Sequence, residues 1–148
     1  MRESKYEKYL IKTPIREVGR NVVVKGRQLP AMTYMSNELV PGSNVYVEFS
    51  WIWDVPDPNP LIFEHSHDYD QIVVRIGSDP NNPEDLGAEV EQVVGGEPLT
   101  VDRTHALYVP KGLKHGPITW KRVDRPLIEM TIVLGAGSLE QARPGGIK

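Results

Sequence analysis

His65-Ser66-His67-Asp68-Tyr69-Asp70-Gln71 runs directly into the apolar stretch Ile72-Val73-Val74. Successive side chains of an extended strand alternate between two faces. If the strand is unbroken, His65, His67, Tyr69 and Gln71 share one face, and Glu64, Ser66, Asp68 and Asp70 share the other. Two imidazoles at i and i+2 converge on a point just above the sheet. The Gln71 carboxamide oxygen can close on the same point. That is a metal-ligand spacing, whose plain alternative is a pair of surface histidines on an edge strand. A second stretch, Pro110-Lys111-Gly112-Leu113-Lys114-His115-Gly116-Pro117, builds a turn from Pro and Gly and carries a third histidine. Taken alone, it is a β-turn with an exposed His.

The surroundings of both stretches are β-like. Runs rich in Val, Ile, Tyr and Trp, bounded by Gly, Pro, Asn or Asp, predict strands over 21–24, 31–34, 44–53, 61–65, 71–76, 88–94, 106–109, 118–121 and 127–134. The chain has 13 glycines and 13 prolines in 148 residues. This exceeds an average usage of about 12% for the pair, and they fall between the runs, as turns do. Residues 77–87 form a polar connection too irregular for a tight hairpin, and Gly95-Gly96 reads as a turn between strands. Only 4–11 and 138–142 offer short helical turns. Many short strands with turn signals between them imply an all-β sandwich or barrel.

Composition narrows the chemistry. The length suits a single domain with a real core. With no cysteine, a disulfide framework, a Cys-ligated zinc, an iron–sulfur cluster and a thiol nucleophile are excluded. Seventeen Lys+Arg against 20 Asp+Glu, spread along the chain, give no electrostatic reason to expect nucleic-acid or anionic-membrane binding. No apolar run approaches the ~18 residues of a membrane span. Polar, mixed-charge residues at the N-terminus, with no hydrophobic stretch after them, lead us to expect a cytoplasmic protein. There is no G-x-S-x-G elbow, Walker A loop or G-x-G-x-x-G turn.

Taken together, the two histidine stretches are far more specific than either alone. H-x-H-x3-Q followed 44 residues after Gln71 by P-x-G-x2-H, inside a β-rich chain, resembles the two motifs of the cupin superfamily. The resemblance covers residues 61–134 well and extends to 44–53. It implies a single-domain jelly-roll β-barrel, all-β with little helix, holding one divalent transition metal (Zn, Fe, Ni, Co or Mn) and usually dimeric. By that likeness the metal ligands are His65, His67, Gln71 and His115. The barrel is expected over residues 41–135, with an N-terminal arm of strands (1–40) packing on it or on a partner subunit, and a C-terminal tail (136–148).

Gln71 stands where the first motif usually carries Glu, and Gly77 sits one residue earlier than is usual. Asp70 points to the opposite face of a regular strand unless a bulge reverses it. Four neutral ligands leave a divalent ion its full charge. Such an ion is a stronger Lewis acid, attracts anionic or enolisable oxygen donors, and favours its reduced state.

Other candidates follow from strand parity. Tyr69 shares the ligands' face and is a candidate to orient substrate or donate a proton. Trp51 and Trp53 share a face and offer either a stacking wall for a planar substrate or core filler. Glu48 lies on the opposite face and is a general base if that face lines the barrel, a solvated charge otherwise. Glu129 interrupts the apolar run 127–133, either inside the barrel or turned outward. Arg75 shares Gln71's parity and can pair with an acid or grip a substrate carboxylate. His105 falls in no ligand slot and reads as a surface or capping residue. The expected function is a metal-dependent enzyme acting on a small carbonyl, enolisable or aromatic molecule by Lewis-acid chemistry, as a lyase, isomerase or cyclase. The alternatives are an iron-dependent dioxygenase and a non-catalytic small-ligand-binding domain. The expected partners are a small substrate and a second copy of the chain, without nucleic acid or membrane.

Overall fold

The structure is a computed structural model that describes residues 4–135. The expected C-terminal tail and the helical turn at 138–142 lie outside the described residues. Among the described residues, nine strands follow a single 3-10 turn, Glu7–Tyr9, where Ser4 Oγ accepts from the Glu7 backbone N–H. They are β1 (Lys25–Arg27), β2 (Met32–Met35), β3 (Val45–Asp57), β4 (Asp70–Gly77), β5 (Asp85–Val94), β6 (Glu97–Arg103), β7 (His105–Val109), β8 (His115–Val123) and β9 (Leu127–Leu134). All pairings are antiparallel. One sheet has the order β1-β3-β9-β4-β7, with β2 also pairing β3; the other has the order β6-β5-β8. No helix among the described residues is long and apolar enough to cross a membrane.

Two sheets face one another as a jelly-roll barrel, and the chain changes sheet at two corners. Residues 62–65 bridge to β8 through Ile62–Ile118 and His65–His115, after which the chain bends into β4 of the other sheet. Thr104 alone separates β6 from β7, which belong to different sheets. Between β5 and β6, Gly95 and Gly96 both have positive φ (57° and 82°) and join Val94 to Glu97 in a two-residue hairpin.

Strand alternation decides what faces inward. Along β4, Gln71, Val73 and Arg75 are buried; along β3, Tyr46, Glu48, Ser50 and Ile52 are. Directly paired residues share a face, so the register lays out rows across the inner surface of the larger sheet. The first row is Tyr46–Val133–Gln71–Val109, the second Glu48–Thr131–Val73–Leu107, and the third Ser50–Glu129–Arg75–His105. A fourth row, Ile52–Leu127, meets Leu86, Ala88, Val90 and Trp120 of the facing sheet in the main apolar core. Polar and charged rows therefore sit above an apolar floor, inside the barrel.

Two expectations are corrected here. The condition of one unbroken strand from His65 to Gln71 is not met, because residues 62–65 bridge to β8 of one sheet and β4 pairs in the other. The strand expected at 21–24 is replaced by β1 at Lys25–Arg27, which gains its partners from β3.

Candidate functional site

The break at residues 66–69 is what gathers the histidines. His65 pairs with His115 through backbone hydrogen bonds of 2.9 Å in each direction, which sets the two rings 4.2 Å apart. Gly112 N–H donates to the His67 carbonyl at 2.8 Å, tying the turn of the second motif to the first. His67 lies 4.6 Å from His65 and 5.1 Å from His115, ring to ring. Gly116 makes this approach possible. Its φ is +98°, and a Cβ there would stand 2.5 Å from the Phe63 carbonyl oxygen.

One ring nitrogen from each of His65, His67 and His115 lies within 4.8 Å of the others. The tautomers are set by backbone carbonyls: His65 Nδ1 meets Phe63 O at 2.6 Å, and His115 Nδ1 meets Leu113 O at 2.9 Å. With Nδ1–H donating, Nε2 keeps its lone pair, the arrangement that orients a metal-binding imidazole. Nε2 of His67 and of His115 are buried without a hydrogen-bond partner. Burial and the two neighbouring imidazoles lower the His67 pKa to about 4, and burial also lowers His115. His67 and His115 are therefore neutral at pH 7, the state a metal requires. Two buried lone pairs with nothing to accept from, and a third imidazole nitrogen within reach of both, fit a divalent transition ion.

Below the histidines lies a cavity of about 50 Å³. His65, Gln71 and His115 line it together with Arg27, Glu48, Arg75, Gln92, Glu129 and Thr131. At about 10–15 Å³ for each enclosed water it has room for about four, so any ligand beyond the ion is small. Gln71 is buried and shares the cavity with His65 and His115, although it does not share their strand.

Both interior carboxylates reach this cavity, in opposite electrostatic states. Glu129 is buried, which works to raise its pKa, but Arg27 and Arg75 outweigh burial and bring it down to about 2. Its Oε1 accepts from Arg27 Nη2 at 2.6 Å and its Oε2 from Arg75 Nε at 2.7 Å. For Glu48, burial dominates and raises the pKa to about 7, against a hydrogen bond from Tyr46 and the charge of Arg27. The Tyr46 hydroxyl, 3.1 Å from Glu48 Oε2, is also 2.8 Å from Thr33 Oγ1. One carboxylate is locked as an anion and the other is poised to exchange a proton.

Arg75 is 1% exposed and fully engaged. Besides Glu129 it donates to Gln92 Oε1 (2.9 Å) and to His105 Nε2 (3.1 Å), and it stacks over Trp120. It is a structural hub in which each of the three guanidinium nitrogens already makes one hydrogen bond. His105, expected at the surface, is half-buried as that hub's acceptor, its Nδ1 held by the Arg103 carbonyl. Tyr69 stacks on His67 at 4.6 Å and packs against the Tyr46–Val133 cluster. Its hydroxyl is buried and outside the cavity lining, and burial together with Glu48 raises its pKa. Trp51 and Trp53 are 38% and 51% exposed on the outer face of β3 and line no part of the cavity. The alternation that buries Tyr46, Glu48, Ser50 and Ile52 turns them outward.

Arg27, Gln92 and Thr131 belong to the cavity but not to the sequence-based candidates. Gln92 carried a signal: in β5 it shares parity with buried Val90. Arg27 carried none, because a three-residue strand shows no periodicity.

No family profile matches the chain, and no curated protein matches it in sequence. Its likeness is to solved structures. A predicted oxalate decarboxylase from Thermotoga maritima matches with a TM-score of 0.53 at 14% identity, over 84% of this chain and 97% of that one. A sugar phosphate isomerase of the cupin superfamily from Silicibacter pomeroyi matches with a TM-score of 0.50 at 15% identity, over 84% and 71%. The fold is that of the cupins. At the histidine corner it carries a three-histidine group able to hold a metal.

Proposed function

We propose that this chain is a metal-dependent cupin enzyme that acts on a small carbonyl compound by Lewis-acid chemistry, as a lyase, isomerase or cyclase. The observation that carries this reading is the shared cavity. Ligand-ready imidazoles and a carboxyl group titrating near 7, Glu48, open onto the same small volume. His65, His67 and His115 would hold the metal, with Gln71 as a fourth, neutral donor. A divalent transition ion held there would supply Lewis acidity toward a carbonyl oxygen, which would acidify the adjacent C–H. Glu48 takes up that proton and returns it, a role suited to a group whose pKa matches the working pH. Tyr46 holds Glu48 in place through its hydroxyl. Glu129 cannot serve, since two guanidiniums keep it ionised. Tyr69 braces His67 by stacking.

The test is elemental analysis of protein purified without added metal, paired with solvent-deuterium exchange into a panel of small ketones, aldehydes and oxo acids. One transition metal per chain is expected, lost in His65→Ala and His115→Ala. Exchange is expected in the parent and not in Glu48→Gln, which keeps its metal. Metal-free protein whose histidine variants bind added Co²⁺ as well as the parent does would sink the reading. Iron with O2 consumption and no exchange would transfer it to the dioxygenase class.

A further inference from the structure

The ion pairs lining the cavity are not matched one to one. Arg27 and Arg75 share a single ionised carboxylate, Glu129. Arg75 uses its Nε and both of its terminal nitrogens. Arg27 is also largely buried, its side chain 11% exposed, yet its Nε is buried with no partner. Gln92, 4% exposed, gives its Oε1 to Arg75, which fixes the amide's orientation and leaves Nε2 as a second buried donor with no partner. Arg27, Glu129, Arg75 and Gln92 all line the cavity, and the residue at each end of this chain keeps a buried donor without a partner among the described residues. Glu48 also lines the cavity but forms no ion pair with either arginine among the described residues, and Tyr46 already occupies its Oε2. A buried guanidinium without its own counter-charge, and buried N–H groups without acceptors, each cost free energy that an anionic ligand relieves.

We infer that Arg27 and Gln92 form an anion subsite in this cavity and that the substrate is a short-chain carboxylic acid bearing a second oxygen function. Its carboxylate pairs with Arg27, and Gln92 Nε2 donates to another of its oxygens. The cavity's volume limits the molecule to about half a dozen heavy atoms, the size of pyruvate. This inference rests on the proposed function and narrows its substrate class, because the acid's carbonyl is what the histidine corner would meet.

The experiment compares pyruvate with its neutral isostere pyruvamide, and acetate with acetamide, by calorimetric titration of the metal-loaded protein and of chelator-treated protein. The acids are expected to bind at least tenfold more tightly than the amides. Arg27→Gln should weaken pyruvate binding by about ten- to a hundredfold, the loss of a charge-assisted hydrogen bond. Arg27→Lys should retain part of that affinity. Circular dichroism and metal content are followed in both. Equal affinity for pyruvate and pyruvamide in the parent overturns the subsite, and that comparison needs no variant. Unchanged pyruvate affinity in folded Arg27→Gln overturns it as well. The two proposals fail separately. Stoichiometric metal without preference for acids removes the subsite alone, whereas preference for acids in a protein that binds no metal removes the metal reading alone.

Discussion

Replacing Glu129 by Gln keeps the side chain's shape and removes the negative charge that Arg27 and Arg75 share. The cost can be reached by two routes. Breaking a buried ion pair by neutralising one partner costs about 3–5 kcal/mol, because the other charge stays buried without compensation. Independently, holding Glu129 at about 2 against an ordinary value of 4.5 corresponds to about 3 kcal/mol of stability at pH 7. The charge of Glu129 also helps to raise Glu48. In the variant Glu48 ionises more readily beside Arg27, which favours the lower figure. For a chain of this length, about 3 kcal/mol lowers the Tm by roughly 6–12 °C. The assay is urea unfolding and calorimetry of metal-free parent and variant from pH 7 down to pH 2, so that metal binding adds nothing to stability. The sign is definite. A lowered carboxylate pKa stabilises the fold above pH 4.5, and that contribution disappears as pH falls towards 2, so the gap between parent and variant must close over this interval. A loss under about 1 kcal/mol at pH 7, as an exposed pair would give, refutes the shared-anion account. So does a gap at pH 2 equal to that at pH 7.

Three further outcomes are expected. Gln71→Glu places a negative charge beside the histidines and should change which metal co-purifies and lower that metal's Lewis acidity; an identical metal profile and activity would contradict a liganding role for Gln71. Tyr46→Phe removes a hydrogen bond that stabilises the Glu48 carboxylate, so the titration of Glu48, followed by carbon NMR, should move up from about 7 by roughly one pH unit; no movement, or a downward one, contradicts the assignment. Gly116→Ala forces a Cβ against the Phe63 carbonyl and should cost about 1–3 kcal/mol and weaken Co²⁺ binding about tenfold by separating His115 from His65. Gly42→Ala, similarly strained in φ (+93°) but with open space around its Cβ and remote from the histidines, is the control and should leave Co²⁺ binding unchanged.

Much of the barrel was readable in advance where strands are long and one-sided. The run 127–134 coincides with β9 at both ends, and the parity that groups Arg75 with Gln71 is the parity of the buried face of β4. β6 escaped notice because Glu97–Arg103 is an edge strand with almost every side chain exposed. Such a strand needs no apolar alternation, since its register comes from β5 and the two-glycine turn. β3 runs on to Asp57, past the expected end at Trp53, because its outer half is held by β1. Trp51 and Trp53 show the limit of parity. Alternation states that they oppose Glu48, but only the facing sheet decides which side is inside.

By itself the sequence determined the class of the fold, the histidines and the pairs of residues that share a face. These follow from local properties: β-propensity, turn chemistry and the two-residue repeat of an extended chain. Tertiary structure decided how the histidines meet, through a change of sheet between His65 and Gln71 that breaks the very strand on which they had been aligned. It also decided the electrostatics of the cavity. Glu48 and Glu129 are the same residue type with ordinary pKa values in an unfolded chain. Burial sends one up, and two guanidiniums from β1 and β4 send the other down. Those neighbours are distant in sequence, and a charge's surroundings exist only after the chain has folded around it.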